Sequence, residues 1–149
     1  MAAKTTGPGF SAEEKAAMKQ RAAELKAEAK AAKGAEKAAA ELKAAEDAIA
    51  AMSPNDKAIA QAIHEIVLAN TDLRPKTWYG FPSYARDGQL ICFYQPGDKF
   101  GTRYGSLGFD ANAQLDDGNM WPAAYAILKV GAAEKKAITA LVKKAAGQG

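Results

Sequence analysis

Three aspartates form the densest group of possible metal ligands in the second half of the chain. They are Asp110, Asp116 and Asp117. Hard metal ions prefer oxygen ligands or imidazole, so these carboxylates are the candidate metal site. The alternative is a polar loop, because Asp116-Asp117-Gly118 is also ordinary turn chemistry.

Aromatic side chains around one arginine indicate a second kind of site. If several of them line one concave face, they form a pocket suited to a small anionic or planar ligand. The candidate ligand-binding residues are Trp78, Tyr79, Tyr94, Arg103, Tyr104 and Trp121, with Tyr84 as a further member of the cluster. The alternative is that these rings are the core and its rim, since a small sheet domain needs its aromatic residues for packing.

His64 and Cys92 are the only histidine and cysteine of the chain. Imidazole and thiol can act as base and nucleophile. Cys92, however, lies inside the apolar run Leu90–Tyr94, where a thiol is usually an inert core residue. His64 is predicted to lie at the surface or edge of the fold. We therefore expect a protein without catalytic residues.

Charge and composition exclude several classes of partner. The net charge is +3, and residues 1–52 carry nine basic against eight acidic side chains, which is too even a balance for phosphate binding. No stretch approaches the roughly 18 apolar residues of a membrane helix. A lone cysteine and the lack of a signal-peptide pattern favour a reducing compartment. We expect a cytoplasmic protein that contacts neither nucleic acid nor membrane.

The first third of the chain is rich in Ala, Lys and Glu. Residues 1–9 are predicted to be disordered, and Ser11 followed by Glu14 is a capping-box pattern. Strong helix formers continue from there to Met52. Gly34 is the position expected to divide this helical arm into two helices. The predicted arm occupies residues 1–52.

The remaining residues, 53–149, predict a domain of class α+β, with an antiparallel sheet packed by two helices. The helices are expected at about 54–70 and 132–146, from apolar residues at helical spacing. Strands are expected at about 76–79, 84–86, 89–95 and 100–109, with an Asp-Gly hairpin turn before the third and a bulge or bend at Gly80-Phe81-Pro82. Pro122 limits Met120–Leu128 to an edge strand or an irregular segment.

The motifs between residues 76 and 122 follow one another in a recognisable order. Lys76–Pro82 reads Lys-x-x-Tyr-Gly-x-Pro. It is followed by Cys92–Gln95, Thr102–Tyr104, Leu107–Phe109 and Leu115–Pro122. In this order the motifs resemble the YdhG-like bacterial family, a cytosolic α+β domain of unknown function that is sometimes labelled YjbR/CyaY-like. The resemblance covers about residues 55–145.

The resemblance implies iron handling, because some members of that family are labelled frataxin-like iron chaperones. Iron binding of the frataxin type relies on a ridge of carboxylates on a helix, and here the 54–70 helix offers only Asp56 and Glu65. Three hypotheses therefore stand side by side. The chain is an iron chaperone, a binder of small anionic or planar ligands at the aromatic residues with Arg103, or a protein-interaction module that self-associates through its arm.

Overall fold

The computed structural model describes residues 11–148. The predicted disorder of residues 1–9 lies outside this range. The chain divides into two compact units, of which the first ends at Ala39 and the second begins at Ala40. Within the described range, no helix is both long enough and apolar enough to cross a lipid bilayer.

Helix α1 (Ala12–Ala50) is continuous through Gly34, so the predicted division at that glycine is absent. A single helical glycine costs about 1 kcal/mol relative to alanine, which the strong helix formers on either side offset. Ser11 caps the helix as predicted, because its Oγ accepts from the Glu14 amide at 3.1 Å. The Glu14 carboxylate accepts from the Ser11 hydroxyl at 3.1 Å, whereas in a capping box it accepts from the N-cap amide.

The last turns of α1 belong to the second compact unit. Ala45 and Ile49 are buried there, because the apolar residues of the helix become more frequent toward its end. The unit begins at Ala40, whereas the sequence placed the start of the domain at residue 53.

The second unit contains the predicted α+β fold, which the structure confirms. Five antiparallel strands lie in chain order in one sheet. They are β1 (Arg74–Trp78), β2 (Phe81–Arg86), β3 (Gln89–Gln95), β4 (Gly105–Phe109) and β5 (Ala124–Ile127). The helices are α2 (Pro54–Asn70), the short α3 (Gly97–Phe100) and α4 (Ala132–Ala145).

The main core lies between one face of the sheet and the helices. Tyr84, Cys92, Tyr94 and Leu107 point to this side, since Tyr84 pairs with Cys92 and Tyr94 with Leu107. The helices contribute apolar residues at helical spacing to the same core, among them Ile59, Ile63, Val67, Ile138 and Val142. The opposite face of the sheet carries different rings and forms the site described below.

The sheet departs from its predicted strand bounds at two places and agrees with the prediction at a third. Residues 97–100 form α3, so the strand expected from residue 100 begins only at Gly105. The break at Gly80-Phe81-Pro82 is a two-residue turn, with φ of 51° at Tyr79 and 80° at Gly80, and Phe81 already belongs to β2. The edge strand that Pro122 permitted is present as β5.

Candidate functional site

The face of the sheet opposite the main core carries a cluster of aromatic rings, here called the aromatic patch. Trp78 pairs with Phe81 across β1 and β2, and directly opposed residues share one face of a sheet. β3 adds Phe93 on the same face, and the β1–β2 turn and α3 add one ring each. The aromatic patch consists of Trp78, Tyr79, Phe81, Phe93 and Phe100.

The rings of the aromatic patch contact one another in edge-on and tilted arrangements. The Trp78 ring centroid lies 4.7 Å from that of Tyr79, 5.7 Å from Phe81 and 5.1 Å from Phe93. Phe100 completes the cluster at 5.9 Å from Phe81. These separations are those of favourable aromatic pairs, so the patch has a defined shape.

The aromatic patch has a buried base and an open rim. Phe81 is buried, whereas 37% of Trp78 and 78% of Tyr79 are exposed. Exposed rings grouped on one surface are uncommon on a monomer and mark sites of binding.

A cleft of about 440 Å³ adjoins the patch at Gly80 and Lys99. Met52, Pro96 and Asp98 also line it, and its volume lies in the range of small-molecule sites. Lys99 Nζ is 5.8 Å from the centroid of the Phe100 ring. Among residues 11–148 no carboxylate oxygen lies within ion-pair distance of this ammonium group. The cleft thus places the ammonium group of Lys99 beside exposed aromatic rings, with the carboxyl groups of Asp56 and Asp98 in the same lining.

A buried carboxylate fixes the floor of this cleft. Asp56, which is 5% exposed, accepts hydrogen bonds from Tyr94 Oη at 2.7 Å, from the Gly97 amide at 3.0 Å and from the Asp98 amide at 3.1 Å. Burial alone would raise the pKa of Asp56, but these bonds and one from Ser53 together lower it below its usual value. Asp56 therefore positions α3 and has no free oxygen for a ligand.

The structure separates the six predicted ligand-binding residues into four places. Trp78 and Tyr79 lie together in the aromatic patch. Tyr94 is fully buried beneath Asp56. Arg103 stacks at 5.3 Å from the centroid of the Tyr104 ring, and both line a cleft of about 380 Å³ near Lys129.

Trp121 occupies the fourth place, near two of the three predicted metal ligands. It lines a cleft of about 190 Å³ with Asp110 and Asp116, and Asp117 is outside this lining. The Asp110 carboxylate accepts a hydrogen bond from Asn112 at 3.3 Å. In the part of the chain that the structure describes, no three His, Cys, Asp or Glu side chains are grouped so that they could hold a metal ion.

His64 is buried, at 6% exposure, and the predicted surface location is wrong. Its Nδ1 lies 2.9 Å from Tyr84 Oη, and the last turns of α1 cover this side of α2. Its Nε2 lies 3.6 Å from the Glu46 carboxylate. Tyr84 also pairs with Cys92 across β2 and β3, and among the described residues no hydrogen bond joins His64 to the Cys92 thiol.

Burial raises the pKa of the Cys92 thiol to about 12. We therefore expect this thiol to remain unmodified by an aromatic disulfide reagent at pH 8 in the native protein, because the thiolate is the reactive form. Absorbance of the released thiolate measures the reaction, and the same sample in guanidinium chloride is the control. Modification at equal rates in both solutions would contradict the buried position.

Sequence reasoning missed four members of the site, namely Phe81, Phe93, Phe100 and Lys99. For Phe81 a signal was present in the sequence, namely the spacing around Tyr79-Gly80. A pair of residues that includes a glycine and stands between two extended segments forms a hairpin turn. This turn places Trp78 directly opposite Phe81. Phe100 and Lys99 gave no such signal, because α3 is positioned by the tertiary contact of its amides with Asp56.

The chain was compared with protein-family models, with curated proteins and with solved structures, and no match was found in any of the three. What the site can do therefore rests on its own geometry.

Proposed function

We propose that this chain is a non-enzymatic, cytoplasmic binding protein that holds a small planar anion between the aromatic patch and Lys99. Exposed rings supply stacking surfaces for a planar group. The ammonium group of Lys99 supplies the charge for a carboxylate. The proposal requires neither nucleic acid nor a membrane surface as a partner.

The conformation of Tyr79 is the observation that carries this proposal. Its φ is 51°, a left-handed conformation that costs a bulky residue roughly 1–2 kcal/mol. Asp87, with the same φ in the β2–β3 turn, is a residue type that tolerates it. Strain of this kind is typical of functional sites, and here it holds a tyrosine ring 78% exposed beside Trp78.

The test is a residue-resolved NMR titration of the full chain with naphthalene-2-carboxylate and with its neutral carboxamide. We expect the carboxylate to shift the amides of Tyr79, Gly80 and Lys99. The substitution Lys99→Met should weaken carboxylate binding roughly fivefold, because an exposed ion pair contributes up to about 1 kcal/mol. Carboxamide binding should not change.

Lys144→Met is the matched control, since Lys144 is an exposed lysine on α4 and should leave both affinities unchanged. Shifts confined to other surfaces, or equal affinities for the carboxylate and the carboxamide, would contradict the proposal.

Replacing Tyr79 by Asn should separate stability from binding. Asparagine adopts a positive φ readily, so Tyr79→Asn should raise the free energy of unfolding by about 1 kcal/mol. It should weaken the binding of naphthalene-2-carboxylate about fivefold, because one stacking ring is lost. Urea unfolding and the NMR titration measure the two effects, and Asp87→Asn in the other hairpin turn should change neither. A Tyr79→Asn protein that is less stable and binds equally well would refute this account.

Iron handling, which the family resemblance implies, has less support from the geometry. Asp110 and Asp116 are near each other, but the third ligand is missing from the residues that line their cleft. An anaerobic titration with ferrous iron distinguishes the two proposals. Selective NMR line broadening at Asp110, Asp116 and Asp117 would favour iron, and uniform or absent broadening would count against it.

A further inference from the structure

The edge strand β5 directs part of its backbone away from the sheet. The Phe109 amide donates to the Ala123 carbonyl at 2.9 Å, and hydrogen-bonded and non-hydrogen-bonded pairs alternate along an antiparallel ladder. Tyr125 and Ile127, which pair with Leu107 and Gly105, therefore direct their backbone groups toward β4. Ala124 and Ala126 direct theirs to the open side.

These outward groups form a short, bounded edge. β5 is the last strand of the sheet, and within residues 11–148 no backbone hydrogen bond reaches the outward side of Ala124 or Ala126. The edge ends at Leu128, because the carbonyl of Leu128 accepts a hydrogen bond from Asn55 at 2.9 Å. Pro122 limits it at the other end, since proline has no amide donor.

This edge lacks most of the features that keep edge strands apart. Lysines, inward-pointing charges and bulges usually prevent edge-to-edge pairing, yet residues 118–128 contain no charged side chain. Met120 and Leu128, which flank the strand, are exposed apolar residues. The small side chains of Ala124 and Ala126 are exposed as well, so another strand can approach closely.

The two ends of β5 carry opposite charge. The cleft beside Trp121 at its start is lined by Asp110 and Asp116. The cleft at its end is lined by Arg103 and Lys129, with Glu134 as the one acid. The Glu134 carboxylate already accepts from the Gly131 amide at 2.7 Å. A second β5 in antiparallel orientation would place each basic end beside the acidic end of the other copy.

We propose that two copies of this chain pair through β5 about a two-fold axis at Tyr125, joining their sheets edge to edge. Ala124 of each copy then lies opposite Ala126 of the other. In this register all outward backbone N–H and C=O groups between Pro122 and Leu128 form hydrogen bonds. The same register places Trp121 opposite Lys129, a favourable cation–π pair. A two-fold interface must be self-complementary, and the charges at the ends of β5 meet that condition. The pairing is independent of the ligand proposed for the aromatic patch.

Sedimentation equilibrium over a range of concentrations tests this pairing. We expect the mass to rise from 15.6 kDa toward twice that value, with a dissociation constant on the order of 10 μM because the interface is small. Ala126→Pro removes one outward amide and leaves the bonds to β4 intact, as proline on an edge strand can. This variant should keep its circular dichroism spectrum and remain monomeric.

Thr77→Pro is the matched control on the opposite edge. Thr77 lies in β1 two residues after Pro75. Its backbone amide therefore has the same direction as the position at which the strand already carries a proline. This variant should associate as the unmodified chain does. Equal loss of association in Thr77→Pro and Ala126→Pro would overturn the proposal.

A charge exchange tests the register. Asp116→Lys and Lys129→Glu should each weaken association about tenfold, and the double variant should restore most of it because the altered charges again face each other. A monomer at all concentrations would refute the pairing, as would a double variant weaker than either single one. Loss of association in the arm variant Met18→Lys/Leu25→Lys would also refute it, because the arm would then be the contact.

Discussion

The substitution Asp56→Ala is expected to lower the free energy of unfolding by about 3 kcal/mol or more. Asp56 accepts hydrogen bonds from Tyr94, from the amides of Gly97 and Asp98, and from Ser53. A hydrogen bond to a charged group contributes roughly 1.5–3 kcal/mol, and a buried donor left without a partner costs a further amount. Urea unfolding monitored by tryptophan fluorescence measures the loss.

A double-mutant cycle with Tyr94→Phe separates the contribution of the Tyr94–Asp56 hydrogen bond from those of the other bonds to Asp56. The two losses should be non-additive, because both single variants remove the same 2.7 Å hydrogen bond. Asp98→Ala is the control, since the Asp98 side chain is exposed and only its amide contacts Asp56. A loss below 1 kcal/mol for Asp56→Ala, or additive losses in the cycle, would count against the buried hydrogen-bond cluster.

The same carboxylate should make stability depend on pH in the acidic range. Burial would raise the pKa of Asp56, but its hydrogen bonds lower it below 3.8 in the folded protein. The unfolded chain, with an Asp pKa of about 4, therefore binds the proton first as the pH falls. The stabilisation is present above about pH 4 and is lost as the pH falls through the folded-state pKa. Asp56→Asn should remove this part of the pH dependence.

Gly105→Ala is expected to destabilise the protein by about 3 kcal/mol, at the upper end of the usual cost of overpacking a core. A methyl group at this position would overlap the ring and hydroxyl of Tyr94. The ring cannot move aside cheaply, because its hydroxyl is bound to Asp56 and the side chain is fully buried. Thermal and urea unfolding measure the change.

Two other glycines are controls for this prediction. A methyl group at Gly108 would meet the Phe93 ring, but that ring is only half-buried on the face opposite the main core, so Gly108→Ala should cost about 1 kcal/mol. Gly34 has open space around it in α1, and Gly34→Ala should increase helix content. A Gly105→Ala protein as stable as the unmodified chain would show that Tyr94 is free to move.

The two proposed surfaces can be used at the same time. The aromatic patch is built on β1, β2, β3 and α3, and the proposed pairing edge is β5, with β4 between them. Pairing at β5 would therefore leave Tyr79 and Lys99 open to a ligand. Binding of naphthalene-2-carboxylate should accordingly be the same in Ala126→Pro and in the unmodified chain.

The sequence by itself determined the elements whose signals are local. Ser11 caps α1, Ser53 precedes α2 and Pro54 begins it, and Asp87-Gly88 forms the turn between β2 and β3. These signals act over a few residues, as do the helical and two-residue periodicities of the apolar positions. The class α+β and the antiparallel sheet followed from them.

Only the tertiary structure decided which side chains meet. Tyr94 was predicted as a ligand-binding residue but is buried. Its hydroxyl donates a hydrogen bond to Asp56, which lies 38 residues earlier in the chain. His64 is buried because the end of α1 covers α2. Arg103, Trp121 and Tyr79 were predicted to line one face but lie in separate places. Strand register and helix docking depend on contacts between residues far apart in the chain, and no local pattern encodes them.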